Sequence, residues 1–194
     1  MLERLFVYLN YIRFLPHIVF FITSRKKETI KEDVVAYREE YGLKGSGLFV
    51  FVQLLSHNTS FRSLFYYRIG KRKWLCQWLG KGMVNLIIPP SVTIGSGLLL
   101  FHSYGTILNA KSIGSGCRIV HNVTLGARSG GVPIIGNHVE ILPNAVITGN
   151  IRIGDHCVIG TGAVVFKDIP DHCVVVGNPA YILKKDGVIV NQKL

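Results

Sequence analysis

His102 and His121 are the residues of this chain best placed to do proton chemistry. Each stands two residues beyond an aliphatic member of the same repeating pattern, Leu100 and Ile119. A histidine on a turn, titrating near neutrality, can take the proton of a hydroxyl and so act as a general base. With Leu100 and Ile119 one coil apart, the two imidazoles are expected to stack on one corner at the spacing of neighbouring strands, roughly 4.7 to 4.9 Å. The equivalent residue one coil further is Pro143, where the stack ends. His138, His156 and His172 read as solvated turn residues. The repeat places no third ligand beside His102 and His121, so no metal is expected.

The pattern that must position these side chains is a series of aliphatic residues spaced almost uniformly by six. It runs Ile94, Leu100, Ile107, Ile113, Ile119, Leu125, Ile135, Ile141, Ile147, Ile153, Ile159 and Val165. A helix repeats near 3.6 residues and a half-buried strand at 2. Units of six match the hexapeptide class of β-helix, whose neighbouring coils bury one continuous core. Glycine follows at Gly95, Gly114, Gly126, Gly136, Gly154 and Gly160, where unusual backbone angles are expected at corners. Two positions before the aliphatic residue stands a small or branched side chain in most units, including Val92, Cys117, Val123, Val139, Ala145, Ile151, Cys157 and Ala163, whereas Gly105, Lys111 and Pro133 break that pattern. The fold class is therefore mainly β, a parallel β-helix over residues 89–180, preceded by a helical region at 1–88 and followed by a basic tail at 181–194. One extra residue between Leu100 and Ile107, and four between Leu125 and Ile135, are expected to project as loops on the binding face.

Residues 4–23, RLFVYLNYIRFLPHIVFFIT, approach membrane-spanning length, but Asn10, Arg13, Pro16 and His17 interrupt them. A spanning helix needs about 20 consecutive apolar residues, and a secretory signal would show a cleavage region. What remains is a kinked apolar helix pair followed by Arg25, Lys26 and Lys27, suited to a membrane interface or to an oligomer interface. Helices are also expected over residues 28–41, 48–55 and 60–79, the last broken near Gly70, and Pro89 and Pro90 end helical structure. A formal net charge of +11, concentrated before residue 85 and after residue 180, points to polyanionic company such as coenzyme phosphates or anionic lipid. No nucleic-acid motif or stacking module accompanies the charge, so nucleic acid is not an expected partner. With 48 % hydrophobic and 17 % charged residues the chain is not disordered. Four cysteines without CxxC spacing read as reduced core residues of a cytoplasmic protein.

Several runs carry a family resemblance: PheHis at 101–102, ValThrLeuGly at 123–126, SerGlyGly at 129–131, GlyAsnIleArgIleGly at 149–154, ValValGlyAsnProAla at 175–180, and TyrArgIleGly at 67–70. In this order they resemble the hexapeptide-repeat acyltransferases, and within them the serine acetyltransferase branch, over roughly residues 60–183. The resemblance implies a left-handed parallel β-helix, a homotrimer, and acetyl-CoA bound as co-substrate between adjacent subunits. It places the general base on His102; His121, brought beside it by the repeat, is the second catalytic candidate. Backbone around Gly126, Ala127, Ala145, Gly162 and Ala163 would line the pantetheine arm, and Lys167, Lys184 and Lys185 would meet the coenzyme phosphates. Phe101, Tyr104 and Arg128 are the candidates for binding the acceptor.

The chain also departs from that branch. Phe101 and Ile87 stand where the family has aspartates, and the ArgHis pair of its projecting loop is missing, since Gly131 passes directly to Val132 and Pro133. A site that has lost the charges pairing with an amino acid suits a less ionic acceptor. A sugar or polysaccharide hydroxyl, worked on by a protein peripheral to the inner face of a bacterial membrane, is therefore the leading expectation. The alternatives are serine O-acetylation and a non-catalytic trimeric scaffold. His102 would be oriented by a backbone carbonyl, by His121 or by a neighbouring subunit.

Overall fold

The computed structural model describes residues 2–128 and 130–194, with side chains from Phe6 onward; Met1, and Ser129 of the SerGlyGly run, lie outside the described residues. The chain forms two compact units, Met1–Val84 and Asn85–Leu194.

The first unit is helical. Helices α1 (Leu2–Arg13) and α2 (Leu15–Ile22) are separated at Phe14, with Pro16 in the first turn of α2, where its missing N–H leaves no bond unmade. Next come α3 (Lys27–Glu40), α4 (Gly47–His57) and α5 (Thr59–Ile69). Ser46 caps α4 by accepting from the Phe49 N–H at 3.3 Å, and Asn58 caps α5 by accepting from the Phe61 N–H at 2.8 Å. Gly70, at φ +62°, ends α5 in the left-handed region, and a 3-10 turn follows over Gly70–Leu75. Phe21, Phe61 and Phe65 pack around Phe51 with ring centroids 4.7 to 6.0 Å apart. Beside them the Arg68 guanidinium grips Asp33 through two buried hydrogen bonds of 2.8 and 3.0 Å.

His17 gives this unit a pH dependence. Its Nε2 lies 2.9 Å from the Tyr66 hydroxyl, which itself donates to the Gly80 carbonyl. The hydroxyl oxygen therefore accepts from Nε2–H, and the buried Nδ1 keeps its lone pair without a partner among the described residues. Burial, followed by the guanidinium groups of Arg62 and Arg13, pulls the His17 pKa down to about 4. In the unfolded chain it returns to about 6.5. The neutral ring's contribution is thus complete above pH 6.5 and is lost as the pH falls towards 4, because there the unfolded state binds the extra proton. Urea unfolding followed from pH 7 to 4.5 should show stability declining on acidification, and the decline should flatten in His17→Gln. An unchanged slope in that variant would remove His17 as its source.

The second unit is a coil of short strands in chain order: β1 (Leu86–Ile87), β2 (Thr93–Ile94), β3 (Leu99–Leu100), β4 (Thr106–Leu108), β5 (Ser112–Ile113), β6 (Arg118–Ile119), β7 (Thr124–Gly126) and β8 (Ile134–Ile135). There follow β9 (Glu140–Ile141), β10 (Val146–Thr148), β11 (Arg152–Ile153), β12 (Val158–Ile159), β13 (Val164–Val165), β14 (Cys173–Val176), β15 (Tyr181–Lys185) and β16 (Val188–Lys193). They form three parallel faces, β1-β4-β7-β10-β13, β2-β5-β8-β11 and β3-β6-β9-β12-β14, the last extended by antiparallel β15 and β16. Every third strand is thus a neighbour, as a prism of six-residue units requires, with about five turns in all. Strand β1 precedes Pro89, and residues 181–194 hold β15 and β16, a hairpin on one face.

Two readings of the repeat need correction. The inward residue at the first register break is Leu108, fully buried and paired with Leu125, while Ile107 is half-buried and pairs with Thr124. Thr106, two before Leu108, is fully buried, and its hydroxyl donates to the Val120 carbonyl at 3.2 Å. The small-residue pattern that seemed to fail at Gly105 is therefore restored one residue on. None of the six glycines that follow the aliphatic residues has positive φ, and five of them serve close approach instead; at Gly126 a Cβ would meet only ordinary contacts, the nearest 3.6 Å away. A Cβ on Gly114 would lie 2.3 Å from the Gly136 carbonyl oxygen, and one on Gly95 would lie 2.6 Å from the Ser115 nitrogen. Positive φ falls instead on turn residues such as Asn122, Asn144, His138, His156 and His172. The three histidines are exposed, as expected, and their rings stack 4.9 and 5.0 Å apart. Leu108→Ala should cost about 2–5 kcal/mol through its cavity, against about 1 kcal/mol for Ile107→Ala with its smaller buried area. Equal losses in chemical unfolding would contradict the revised register.

Candidate active site

The corner that follows β3 and β6 is defined by backbone bonds between successive coils. Asn122 N–H donates to the Tyr104 carbonyl at 3.0 Å, Asn144 N–H to that of His121 at 3.3 Å, and Gly162 N–H to that of Pro143 at 2.9 Å. Tyr104, His121 and Pro143 therefore hold equivalent positions. The Tyr104 ring stacks on His121 at 5.1 Å and 16°. The expected stack of His102 on His121 is not formed. Tyr104 stands four residues beyond Leu100 whereas His121 stands two beyond Ile119, so two inserted residues lie between Leu100 and Tyr104; they move Tyr104 into register and displace His102 out of it.

His102 sits in that bulge with φ +45° and is exposed. A left-handed backbone at a residue other than glycine is uncommon and marks a position fixed by its surroundings. The imidazole lies edge-on to Phe101 at 5.8 Å, and no hydrogen bond from another described residue reaches it. Phe101 in turn packs under the Arg118 guanidinium at 4.6 Å, and Arg118 Nε lies 3.5 Å from Glu140. His121 Nδ1 is buried and lacks a hydrogen-bond partner among the described residues. Phe101, His102, Tyr104 and His121 thus gather at one corner. Arg118 joins them unforeseen, and its one sequence signal is its position opposite Leu99 on the strand one coil away.

The cofactor candidates are spread more widely. Gly126 pairs with Thr148, and its carbonyl accepts from Gly149 N–H at 3.1 Å. Ala127 is exposed beside it. Ala145 and Ala163 point into the core and are fully buried, and their carbonyls accept from Thr124 and Val146 of the preceding coil, so only main chain of these two residues could face a ligand. Gly162, at φ +68°, borders open space. Arg128 begins a tight loop closed by two bonds to Gly131, and its guanidinium lies over Phe166 at 5.0 Å. Lys167 borders a cleft of about 690 Å³ with Phe166, Tyr181 and Lys193, whereas Lys184 and Lys185 are not in its lining. The repeat gave no sign of Phe166, Tyr181 or Lys193. The coil cysteines Cys117 and Cys157 are buried, donate to the Gly136 and Pro170 carbonyls, and have pKa values pushed up to about 11 by burial, which removes them as nucleophiles.

Fold and repeat together define the class, that of the hexapeptide-repeat proteins with a left-handed parallel β-helix. Residues 133–167 match the bacterial transferase hexapeptide (six repeats) family. Within this class the chain is similar to the serine acetyltransferases. It is 33 % identical over 133 residues to the serine acetyltransferase of Synechococcus elongatus, covering 66 % of this chain and 54 % of that one. The crystal structure of Neisseria gonorrhoeae serine acetyltransferase superposes with a TM-score of 0.66 at 29 % identity, over 84 % of this chain and 70 % of that one. The soybean apoenzyme gives 0.63 at 32 %, over 78 % and 66 %. The chain spans about half the length of the sequence relatives it matches.

Proposed function

We propose that the coil unit binds acetyl-CoA and moves its acetyl group to an acceptor hydroxyl, with His102 as general base. The observation that carries this reading is an exposed imidazole, without a hydrogen-bond partner among the described residues, held on a left-handed bulge at the register break. The acceptor oxygen attacks the thioester carbonyl carbon while His102 takes its proton. The carbon–sulfur bond then breaks, and the proton passes to the departing thiolate. Arg118 offers a polar contact beside the reacting groups. By resemblance the working assembly is a homotrimer with the coenzyme between subunits. Gly126, Ala127 and Gly162 would face the pantetheine arm, and Lys167 the phosphates.

The relatives' names favour L-serine over the sugar or polysaccharide hydroxyl expected from the residues alone. One observation keeps a second reading: Phe101 occupies the place of a family aspartate and spends its ring face on Arg118, which suits a less ionic acceptor. Thiol release from acetyl-CoA, with acetylated products identified by mass spectrometry, separates the two. L-serine should stimulate release. Stimulation by neutral hexoses or N-acetylhexosamines alone would transfer the assignment to a sugar hydroxyl, and failure to bind acetyl-CoA at all would leave the scaffold reading. Among the described residues no helix is long and apolar enough to cross a membrane. Any attachment through residues 1–27 at the inner membrane face would be peripheral.

A further inference from the structure

Tyr8, Ile12, Leu15, Val19 and Ile22 form one stripe along α1 and α2, and all are exposed, Ile12 by 80 %. Their spacing of four and three is that of a single helix face. The segment 70–81 is tied to the C-terminal ends of these two helices. Arg72 donates to the Thr23 carbonyl at the end of α2, and Arg13 at the end of α1 donates to the Leu79 carbonyl at 2.6 Å. The strap exposes Trp74 (68 %), Leu75 (67 %) and Trp78 (73 %), the only two tryptophans of the protein among them. Two large apolar side chains at the end of the 3-10 turn and a third in the turn after it are left in water, while Cys76 between them is fully buried.

The charges around this surface are of one sign. Residues 6–27 and 70–81 contain Arg13, Arg25, Lys26, Lys27, Lys71, Arg72, Lys73 and Lys81, and no aspartate or glutamate. The acidic side chains of the helical unit instead lie chiefly on α3, where Glu28 pairs with Lys31 and Asp33 with Arg68. A second copy laid on this face would bring cations against cations. An anionic lipid surface complements both features, since tryptophan rings settle at headgroup level and clustered Lys and Arg are attracted to the negative leaflet. We infer that the α1–α2 stripe and the Trp74–Trp78 strap together form a docking face for an anionic bilayer, with the strap as its second anchor. This extends the peripheral reading of residues 1–27 and is independent of acetyl transfer.

Because both tryptophans lie in the strap, their fluorescence reports on it directly. Titration of the full chain with vesicles of phosphatidylcholine containing phosphatidylglycerol should shift the emission to the blue and sediment the protein. Phosphatidylcholine alone should do neither, and added salt should weaken the binding. Trp74→Ser/Trp78→Ser and, separately, Lys71→Glu/Lys73→Glu should each lower sedimentation about tenfold or more, with acetylation of a soluble acceptor unchanged. If Ile12→Ser/Val19→Ser abolishes binding and the strap variants do not, the strap role fails while the peripheral reading stands. Absence of binding to anionic vesicles at low salt, or concentration-dependent self-association lost in the strap variants, would overturn both.

Discussion

Replacing His102 by alanine is expected to lower kcat about 10²–10⁴-fold, the range for loss of a general base. The KM for acetyl-CoA should stay nearly constant, because the residues proposed to hold the coenzyme lie elsewhere on the coil. The backbone at position 102 has φ +45°, which alanine tolerates poorly. His102→Asn is therefore the stricter comparison, since asparagine accepts that region and leaves the bulge unstrained. Both variants should lose activity alike. Activity retained in the asparagine variant would mean that the fall in alanine came from a displaced bulge, and the base would then have to be sought among its neighbours, with His121 first.

The second large effect belongs to the helical unit. Asp33→Ala leaves the Arg68 guanidinium buried without its carboxylate, and should destabilise the unit by about 3–5 kcal/mol. The pair is fully enclosed, with side-chain exposures of 0 % and 2 %, so solvent cannot take over the abandoned charge. Replacing both partners by apolar residues, as in Asp33→Leu/Arg68→Met, should recover much of the loss, because the double change also removes the desolvation cost. Urea unfolding of the three proteins measures both statements. A single variant as stable as the parent would show that the pair contributes nothing to holding α3 against α5.

How much of this was legible in the sequence differs from place to place. Ile119, Leu125, Ile141, Ile147, Ile153, Ile159 and Val165 are all fully buried, because a six-residue unit leaves one side chain per strand no direction but inward. At ThrIleLeu 106–108 the same rule offered two aliphatic residues. Counting by six selected Ile107, whereas packing selected Leu108 with Thr106 beneath it. Glycines were equally visible at their positions, but their reason was not: coil-to-coil distance, which only coordinates supply, is what forbids a Cβ at Gly95, Gly114, Gly136, Gly154 and Gly160. The exposed histidine of the bulge was marked by its motif. Its separation from His121 was not, because counting by six to Ile107 shows one extra residue, whereas the pairing of Leu108 with Leu125 puts two into the turn. In the helical unit, Trp74 and Leu75 fit an apolar helical pattern on paper. The left-handed Gly70 redirects the chain, and both side chains end in solvent.

The most direct measurement is the fate of the acetyl group when the purified full chain is given acetyl-CoA and a hydroxyl acceptor. The account predicts saturable release of CoA that depends on the acceptor, with one O-acetyl ester formed for each thiol. Release without ester, or no saturable binding of acetyl-CoA, would contradict it.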